Sequence, residues 1–314
     1  MKIYNKIIAL VAALGLVGVS FAQDEAAGGN LTDNISIAGF IDGSYSSSEA
    51  GAAQSDNIGI DEVEIDFLFG FGSVSAEVHV DGDGIGDFGV EQAFVTYDAG
   101  NGFSVTLGSY GSALGLERED PTGLSTVSRA YQDTSLNLGD VDTRGANEGV
   151  AISYSADDFS IAVSFEDSEN TNIDADNLNT EVSISYTGIE NLAIGGGFFT
   201  GNGTDTTDYT NLHLTYNAGK ALIAAEWVEE DNAAANTDVE AMMISVDYDV
   251  SDKVGIVLRY SEEDSDVANQ DNEKFTIAPN YSITDNLGAI LEFSDGEQGT
   301  TDVESVALEL TLTF

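Results

Sequence analysis

Apolar and polar residues alternate with a period of two along most of the chain, and very little of it shows the 3.6-residue period of a helix. In 63–67, apolar side chains occupy one face and carboxylates occupy the other. The same alternation recurs in 74–80, 159–165, 242–248 and 306–314. This pattern predicts antiparallel strands, either in a half-buried sheet or in a barrel with an apolar exterior and a polar lumen.

Aromatic residues help to separate these two alternatives. Several candidate strands end in Tyr, and a second aromatic residue follows 11 or 12 positions later. The pairs are Tyr154–Phe165, Tyr186–Phe198, Tyr216–Trp227, Tyr248–Tyr260 and Tyr281–Phe293. At about 3.3 Å per residue and a strand tilt near ~40°, this separation spans roughly 25–30 Å along a barrel axis. It matches two aromatic girdles at the membrane interfaces, which favours a transmembrane barrel over a soluble sandwich.

The connectors alternate between short polar turns and longer acidic loops, as expected for an outer-membrane barrel. The count predicts sixteen strands, or eighteen if 135–138 belongs to a further hairpin. An even number closes the sheet without an exposed edge. We therefore predict an all-β fold, a transmembrane antiparallel barrel over 34–314. The sixteen strands are predicted to begin near Ile35, Val63, Val74, Val90, Phe103, Val150, Phe159, Val182, Leu192, Leu212, Ile223, Met242, Val254, Phe275, Leu287 and Val306.

The first residues have the pattern of an export signal. Lys2 and Lys6 precede an apolar run at 7–19, which is too short to span a bilayer, and 20–22 has the small residues of a cleavage site. We expect 1–22 to be a signal peptide and 23–33 to be a short segment before the barrel.

Composition excludes several functions. The chain has 9 Lys and Arg against 56 Asp and Glu, a formal net charge of -47, and it has no Cys. Such a chain cannot neutralise phosphates, so we expect no nucleic-acid partner. Without Cys there is no disulfide, no thiolate metal site and no Cys nucleophile.

The end of the chain carries a more specific pattern. Leu308, Leu310, Leu312 and Phe314 form one face of the last strand and resemble the assembly signal that the barrel-assembly machinery binds. With the signal sequence and the strand–turn pattern, they make the chain resemble a Gram-negative outer-membrane porin. The segment 108–131 is similar to the OmpL-like β-barrel porin group. It contains Gly115-x-Glu117, Pro121 and Ser128-Arg129-x-Tyr131.

The resemblance to porins implies passive, energy-independent diffusion of small hydrophilic solutes and ions across the outer membrane. It implies no cofactor and no catalytic residues. The partners it implies are outer-membrane lipids, the barrel-assembly machinery, and two further copies of the chain in a homotrimer.

The interval from Tyr110 to Gly145 is the longest connector and, by the strand count, the third long loop. The resemblance implies that this loop folds toward the pore and narrows it. Its candidate constriction residues are Glu117, Arg118, Glu119, Asp120, Arg129 and Arg144. Two interpretations stay open at this point. The loop places opposed charges across the pore, or its ion pairs only keep a long exposed loop ordered.

Residues on the polar face of the strands give the second expectation. The predicted pore-lining and selectivity residues are Glu62, Glu64, Asp66, Glu77, Glu226, Arg259 and Glu292. Glu181, Asp247, Glu309, Lys274, His79 and His213 share that face. Because a negative lumen concentrates cations and repels anions, we expect a preference for cations. The alternative is that the acidity serves solubility or a salty habitat.

Three apparent site motifs are discounted. Residues 84–89 match G-x-G-x-x-G, but a strand follows where a dinucleotide site needs a helix. Residues 81–87 suggest a calcium loop, yet Ile85 stands where an oxygen ligand is needed. His79 and His213 are far apart in sequence, so no metal site is predicted.

Two other function classes were weighed. A barrel enzyme with a nucleophilic Ser needs a His close to it, and neither His lies in such a pattern, so no enzyme is predicted. The remaining alternative is a non-conducting structural or adhesive barrel with acidic, calcium-binding loops.

Overall fold

The chain folds into one closed antiparallel barrel of sixteen strands. The computed structural model describes residues 34–86, 88–117, 121–139, 147–167, 178–202, 207–233 and 237–314. The predicted signal peptide 1–22 and the segment 23–33 lie outside these ranges. The strands are β1 Ile35–Ala50, β2 Ala53–Phe71, β3 Val74–Asp83, β4 Gly89–Gly100, β5 Phe103–Tyr110, β6 Asn147–Ser155, β7 Phe159–Asp167, β8 Leu178–Ile189, β9 Leu192–Thr200, β10 Thr207–Ala218, β11 Ala221–Asn232, β12 Thr237–Asp249, β13 Val254–Ser265, β14 Asn272–Ser282, β15 Leu287–Gln298 and β16 Thr301–Thr313.

The first and last strands close the sheet. β1 pairs antiparallel with β16, from Phe40 opposite Thr313 to Ala50 opposite Val303, so each strand has two neighbours. This confirms the prediction of sixteen strands. The alternative of eighteen is wrong, because Thr134–Leu136 forms a single 3-10 turn rather than a hairpin. Leu136 is buried there among apolar side chains, which explains the apolar pattern that suggested a strand.

Strands that enter from the long-loop end begin earlier than predicted. β2 begins at Ala53 rather than Val63, and β12 begins at Thr237 rather than Met242. Backbone pairing continues in these segments, from Gln54 opposite Glu49 onward in β2. Their side chains are mostly polar, because a hairpin that projects beyond the apolar band has no lipid to face. Alternation therefore marks only the part of each strand within the apolar band.

The two faces of the strands separate as the alternation predicts. Leu212 and Leu214 are exposed on the outer surface, whereas Asn211, His213 and Thr215 between them are buried toward the interior. Outward-facing aromatics cluster near both ends of the strands. One group contains Tyr186, Tyr216, Tyr248 and Tyr281, and the other contains Phe165, Phe198, Phe275 and Phe293. In the described ranges, no helix is long and apolar enough to cross a membrane.

Connectors differ between the two ends of the barrel. At the end where β1 starts and β16 finishes, each turn has two to four residues. The opposite end has two-residue turns at 51–52 and 299–300, and its other connectors have four residues or more. The longest is 111–146, between β5 and β6.

Candidate functional site

The connector between β5 and β6 contacts the inner face of the barrel far from its own strands. We call its described residues, 111–117 and 121–139, the inner loop. Gly111 N donates to Gln92 on β4. The next contacts are with β8, where Glu181 accepts hydrogen bonds from Ser112 Oγ at 2.6 Å and from Ala113 N at 2.7 Å. On β11, Glu226 accepts from Leu116 N at 2.7 Å. Both carboxylates are buried and belong to the polar, inward-facing parity.

The second half of the inner loop reaches strands still farther along the sheet. Glu292 on β15 accepts from Val127 N at 2.7 Å and from Ser128 N at 3.1 Å. Glu263 on β13 accepts from Gln132 N and, at 3.1 Å, from Asp133 N. A segment that leaves β5 and touches inward side chains from β8 to β15 must run through the interior of the barrel.

One cation stands at the centre of these contacts. Arg259 on β13 is only 2% exposed. Its Nη1 lies 2.5 Å from Glu117 Oε1 and donates to Thr126 Oγ1 at 2.8 Å. Its Nη2 donates to the carbonyls of Ser128 at 2.6 Å and Arg129 at 2.8 Å. The planar guanidinium is thus bound to both halves of the loop, a use for which Arg has enough donors and Lys does not.

Lys274 adds a second cation beside Arg259. Its Nζ donates to the Arg129 carbonyl at 2.6 Å, and Ser261 Oγ donates to the neighbouring Ala130 carbonyl at 2.6 Å. Donors from β13 and β14 therefore satisfy loop carbonyls that have no strand partner.

An apolar cluster lies between the inner loop and the wall. Leu114, Leu136 and Leu138 from the loop pack with Val228 of β11 and Met243 of β12, and all five are at most 3% exposed. The lumen is therefore partly filled by a small hydrophobic core, which holds the loop against one side.

Tyr131 belongs to the same cluster and adds a polar contact. Its hydroxyl donates to Glu226 Oε2 at 3.4 Å. Burial and the nearby carboxylates of Glu226, Glu117 and Glu263 raise the pKa of the Tyr131 phenol, so this group stays neutral and keeps its proton.

Gly115 allows the loop to turn tightly beside this core. Its φ is +87°, in the left-handed region, and a Cβ there would lie 2.7 Å from Gly139 N. Any other L-residue would be strained and would push the two segments apart.

A polar lumen narrowed by an internal loop is a channel architecture, and the sequence comparison identifies the family. The model for Gram-negative porins matches residues 9–301. The chain belongs to the Gram-negative porin family. It is accordingly an outer-membrane channel for small solutes. No curated protein matches the sequence significantly.

Solved structures share the porin fold at low sequence identity. The channel DcaP of Acinetobacter baumannii is 12% identical with a TM-score of 0.67, covering 92% of this chain and 100% of its own. An anion-selective porin from Comamonas acidovorans is 15% identical with a TM-score of 0.64, covering 89% and 99%. The trimer form of OmpT from Vibrio cholerae is 14% identical with a TM-score of 0.61, covering 90% and 100%.

The predicted pore-lining residues of this porin divide into two groups. Glu226, Arg259 and Glu292 lie beneath the inner loop and bind it, so they are anchors of the loop rather than free lumen charges. Glu62, Glu64, Asp66 and Glu77 lie instead on β2 and β3, whereas the anchoring hydrogen bonds described above go to β8–β15.

The predicted constriction residues are only partly described. Glu117 faces Arg259, and Ala130 N also donates to it at 2.7 Å. Arg129 lies in the inner loop and its carbonyl is held from the wall. Arg118, Glu119, Asp120 and Arg144 lie outside the described residues, so their part in the constriction stays a prediction.

Sequence reasoning missed several anchors. Glu263 and Glu230 of the wall bind the inner loop, with Ser135 Oγ donating to Glu230 Oε2 at 2.7 Å. The inward parity of Glu263 follows from Arg259 through Ser261, and that of Glu230 follows from Glu226 through Val228. No sequence signal shows that loop N–H groups bind these carboxylates.

The carboxyl terminus lies at the seam of the barrel. Phe314 N donates to Gly39 O at 3.0 Å, and the Phe314 ring lies over Gly39, where a Cβ would come within 2.9 Å of its Cζ. Leu308, Leu310, Leu312 and Phe314 all face outward. Their role as an assembly signal stays a prediction, as does the similarity of 108–131 to the OmpL-like group.

Proposed function

We propose that this porin is a cation-preferring diffusion channel with two unlike walls at its narrow part. The inner loop forms one wall, and the carboxylates of β2 and β3 form the other. The observation that carries the proposal is the uneven distribution of charge. Arg259 and Lys274 are committed to loop carbonyls and to Glu117, whereas Asp66 and Glu77 retain 18% and 28% side-chain exposure.

Partly exposed carboxylates in a lumen raise the local concentration of cations, and buried cations that are already paired oppose this only weakly. The fold alone does not decide the sign of the preference, since the Comamonas relative is described as anion-selective. The expected preference for cations therefore rests on the carboxylates of β2 and β3.

The direct test is planar-bilayer recording of the refolded protein under a KCl gradient. We expect stepwise conductance and a reversal potential of cation-selective sign. Asp66→Asn and Glu77→Gln should each move the reversal potential toward zero. One unit charge about 7 Å away in water contributes roughly 0.6 kcal/mol, so each variant should lower the permeability ratio of K⁺ to Cl⁻ by roughly twofold.

Glu240→Gln is the matched control, because it removes one carboxylate from the outer surface, where Glu240 accepts from Trp227 Nε1 at 2.7 Å. It should leave the reversal potential unchanged. An anion-selective reversal potential would contradict the charge argument. A folded barrel without conductance would favour the structural or adhesive alternative.

We also propose that the porin assembles as a homotrimer in contact with outer-membrane lipids, after insertion by the barrel-assembly machinery. The support is the outward-facing apolar surface of the barrel and the trimer form of OmpT, which has the same fold. Native mass measurement in mild detergent should give three chains per particle, and a monomer at all protein concentrations would contradict this.

A further inference from the structure

A group of metal-ligand side chains lies on β2, β3 and β4, away from the anchors of the inner loop. Glu64, His79 and Glu91 each offer one ligand atom, and these atoms all lie within 4.8 Å of one another. Asp66 and Glu77 flank the same imidazole. The cation preference proposed above uses carboxylates of β2 and β3 and assigns no task to His79 or Glu91.

A β-bulge brings Glu91 into the group. His79 pairs with Gln92, but the next residue, Val80, pairs with Val90, so Glu91 is the extra residue in β4. Val90 is exposed on the outside and Gln92 is buried toward the inside, although two positions normally separate residues of the same face. Bulges commonly re-aim side chains in this way. Here the bulge allows the side chains of two consecutive residues, Glu91 and Gln92, both to point toward the interior.

Hydrogen bonds fix the orientation of the His79 ring. Gly111 N donates to Gln92 Oε1 at 2.8 Å, which leaves the amide Nε2 of Gln92 directed at His79 Nδ1, 3.4 Å away. On the other side of the ring, His79 Nε2 lies 3.4 Å from Glu77 Oε2. These contacts are compatible with the neutral tautomer whose proton is on Nε2 and whose lone pair is on Nδ1, the form in which an imidazole binds a metal ion.

That lone pair faces carboxylates. His79 Nδ1 lies 3.1 Å from Glu64 Oε1 and 3.4 Å from Asp66 Oδ1. Acceptor atoms so close together repel one another unless a positive charge lies between them. Glu91 also needs a positive charge nearby, because both of its carboxylate oxygens are buried without a hydrogen-bond partner in the described parts of the chain. Buried, unsatisfied carboxylates are costly, and a cation relieves that cost.

We propose that Glu64, His79 and Glu91 bind one divalent transition-metal ion of the zinc class. One imidazole with carboxylates suits Zn²⁺ and its neighbours better than Ca²⁺ or Mg²⁺, which prefer oxygen ligands alone. Ligands at about 2.1 Å from an ion lie roughly 3.4 Å apart in a tetrahedron, so small side-chain rotations close the group around it.

The surroundings of the site fit this assignment. Glu77 accepts from the far nitrogen of His79, the arrangement by which carboxylates orient metal-bound imidazoles. His79 is 18% exposed, so an ion reaches it from the lumen, whereas Glu64 is only 1% exposed and provides a fixed ligand. Gln92 connects the site to Gly111, the first residue of the inner loop.

The test is Zn²⁺ binding by the folded porin in detergent. After treatment with a chelator, the protein is dialysed against ZnCl₂ in an excess of Mg²⁺, which occupies weak acidic sites, and bound zinc is measured by metal analysis. We expect one Zn²⁺ per chain. His79→Gln and Glu91→Gln should each weaken binding at least tenfold, and loss of the orienting carboxylate in Glu77→Gln by roughly tenfold.

His213→Asn is the matched control, because it removes the other histidine of the chain and should leave zinc binding unchanged. Glu91→Gln preserves side-chain shape, and heat-modifiable mobility in gels verifies that each variant is folded. Cu²⁺ should show the electron paramagnetic signature of one imidazole nitrogen in the wild type and lose it in His79→Gln.

Absence of stoichiometric zinc, or equal uptake by the wild type and His79→Gln, would overturn the proposal. The contacts of His79 would then be those of a protonated imidazole among carboxylates. Because binding is measured without a bilayer, this outcome is independent of whether the porin prefers cations.

Discussion

The carboxylates beneath the inner loop act mainly as acceptors for backbone N–H groups. Glu181, Glu226 and Glu292 each accept at least one N–H from a loop that has almost no secondary structure of its own. Such N–H groups need partners when they are buried, and hydrogen bonds to a charged acceptor are about twice as strong as neutral ones. Part of the acidity of this porin therefore stabilises the loop rather than the permeating ion.

We expect Arg259 to be the main residue that holds the inner loop against the barrel wall. In Arg259→Gln, the Glu117 carboxylate and the carbonyls of Ser128 and Arg129 lose the hydrogen bonds that the guanidinium donates. Breaking a buried pair costs about 3–5 kcal/mol, so the detached loop should become at least roughly 100-fold more populated. We expect trypsin to cleave the folded variant after Arg129 faster by a similar factor, as measured by mass spectrometry of the products.

Lys253→Gln is the control for this cleavage experiment. Lys253 is an exposed cation in the turn between β12 and β13, so its loss changes the charge equally but touches no loop contact. Cleavage after Arg129 at the same rate in the wild type and in Arg259→Gln would show that the guanidinium does not hold the loop.

At the scale of elements, the seam between β1 and β16 is extended by one further hydrogen bond from the last residue. Phe314 packs over Gly39 and donates its N–H to it, and Gly39 leaves the space that the ring occupies. If the assembly machinery binds this terminal aromatic during insertion, its loss should lower the rate of assembly more than the stability of the finished barrel.

Phe314→Ala should therefore slow assembly by the barrel-assembly machinery several-fold, measured as the heat-modifiable fraction with time. Phe103→Ala provides the comparison, because Phe103 is also an outward aromatic, with 51% exposure against 52% for Phe314. The two lose similar contact with lipid, so equal effects would mean that Phe314 contributes only surface and no signal.

For the whole molecule, selectivity should depend on ionic strength. The lumen carboxylates act on ions through the solution in the lumen, where the Debye length falls from about 10 Å at 0.1 M salt to about 3 Å at 1 M. We expect the permeability ratio of K⁺ to Cl⁻ to decline toward one as KCl rises over this range, in reversal-potential measurements at a constant gradient. A ratio that does not change with salt would mean that close contacts at the constriction set the selectivity.

The sequence by itself determined the barrel. A period of two specifies which side chains face out, and the aromatic spacing and the even strand count then specify a closed transmembrane sheet. These properties depend on neighbours a few residues apart, and they are correct for most of the strands even where strand starts differ. The segment around Val63 shows the limit, since the ten residues of β2 before it are mostly polar and have only Ile58 and Ile60 as large apolar side chains.

Only the tertiary structure decided what the inward residues do. Leu116 N donates to Glu226, and Val127 N donates to Glu292, across more than a hundred positions of sequence. No local sequence pattern encodes such a pairing. The bulge at Glu91 interrupts the alternation, so parity places that side chain on the wrong face. The path of a loop and the turn of a bulge depend on contacts between distant strands, and these contacts exist only after the barrel has closed.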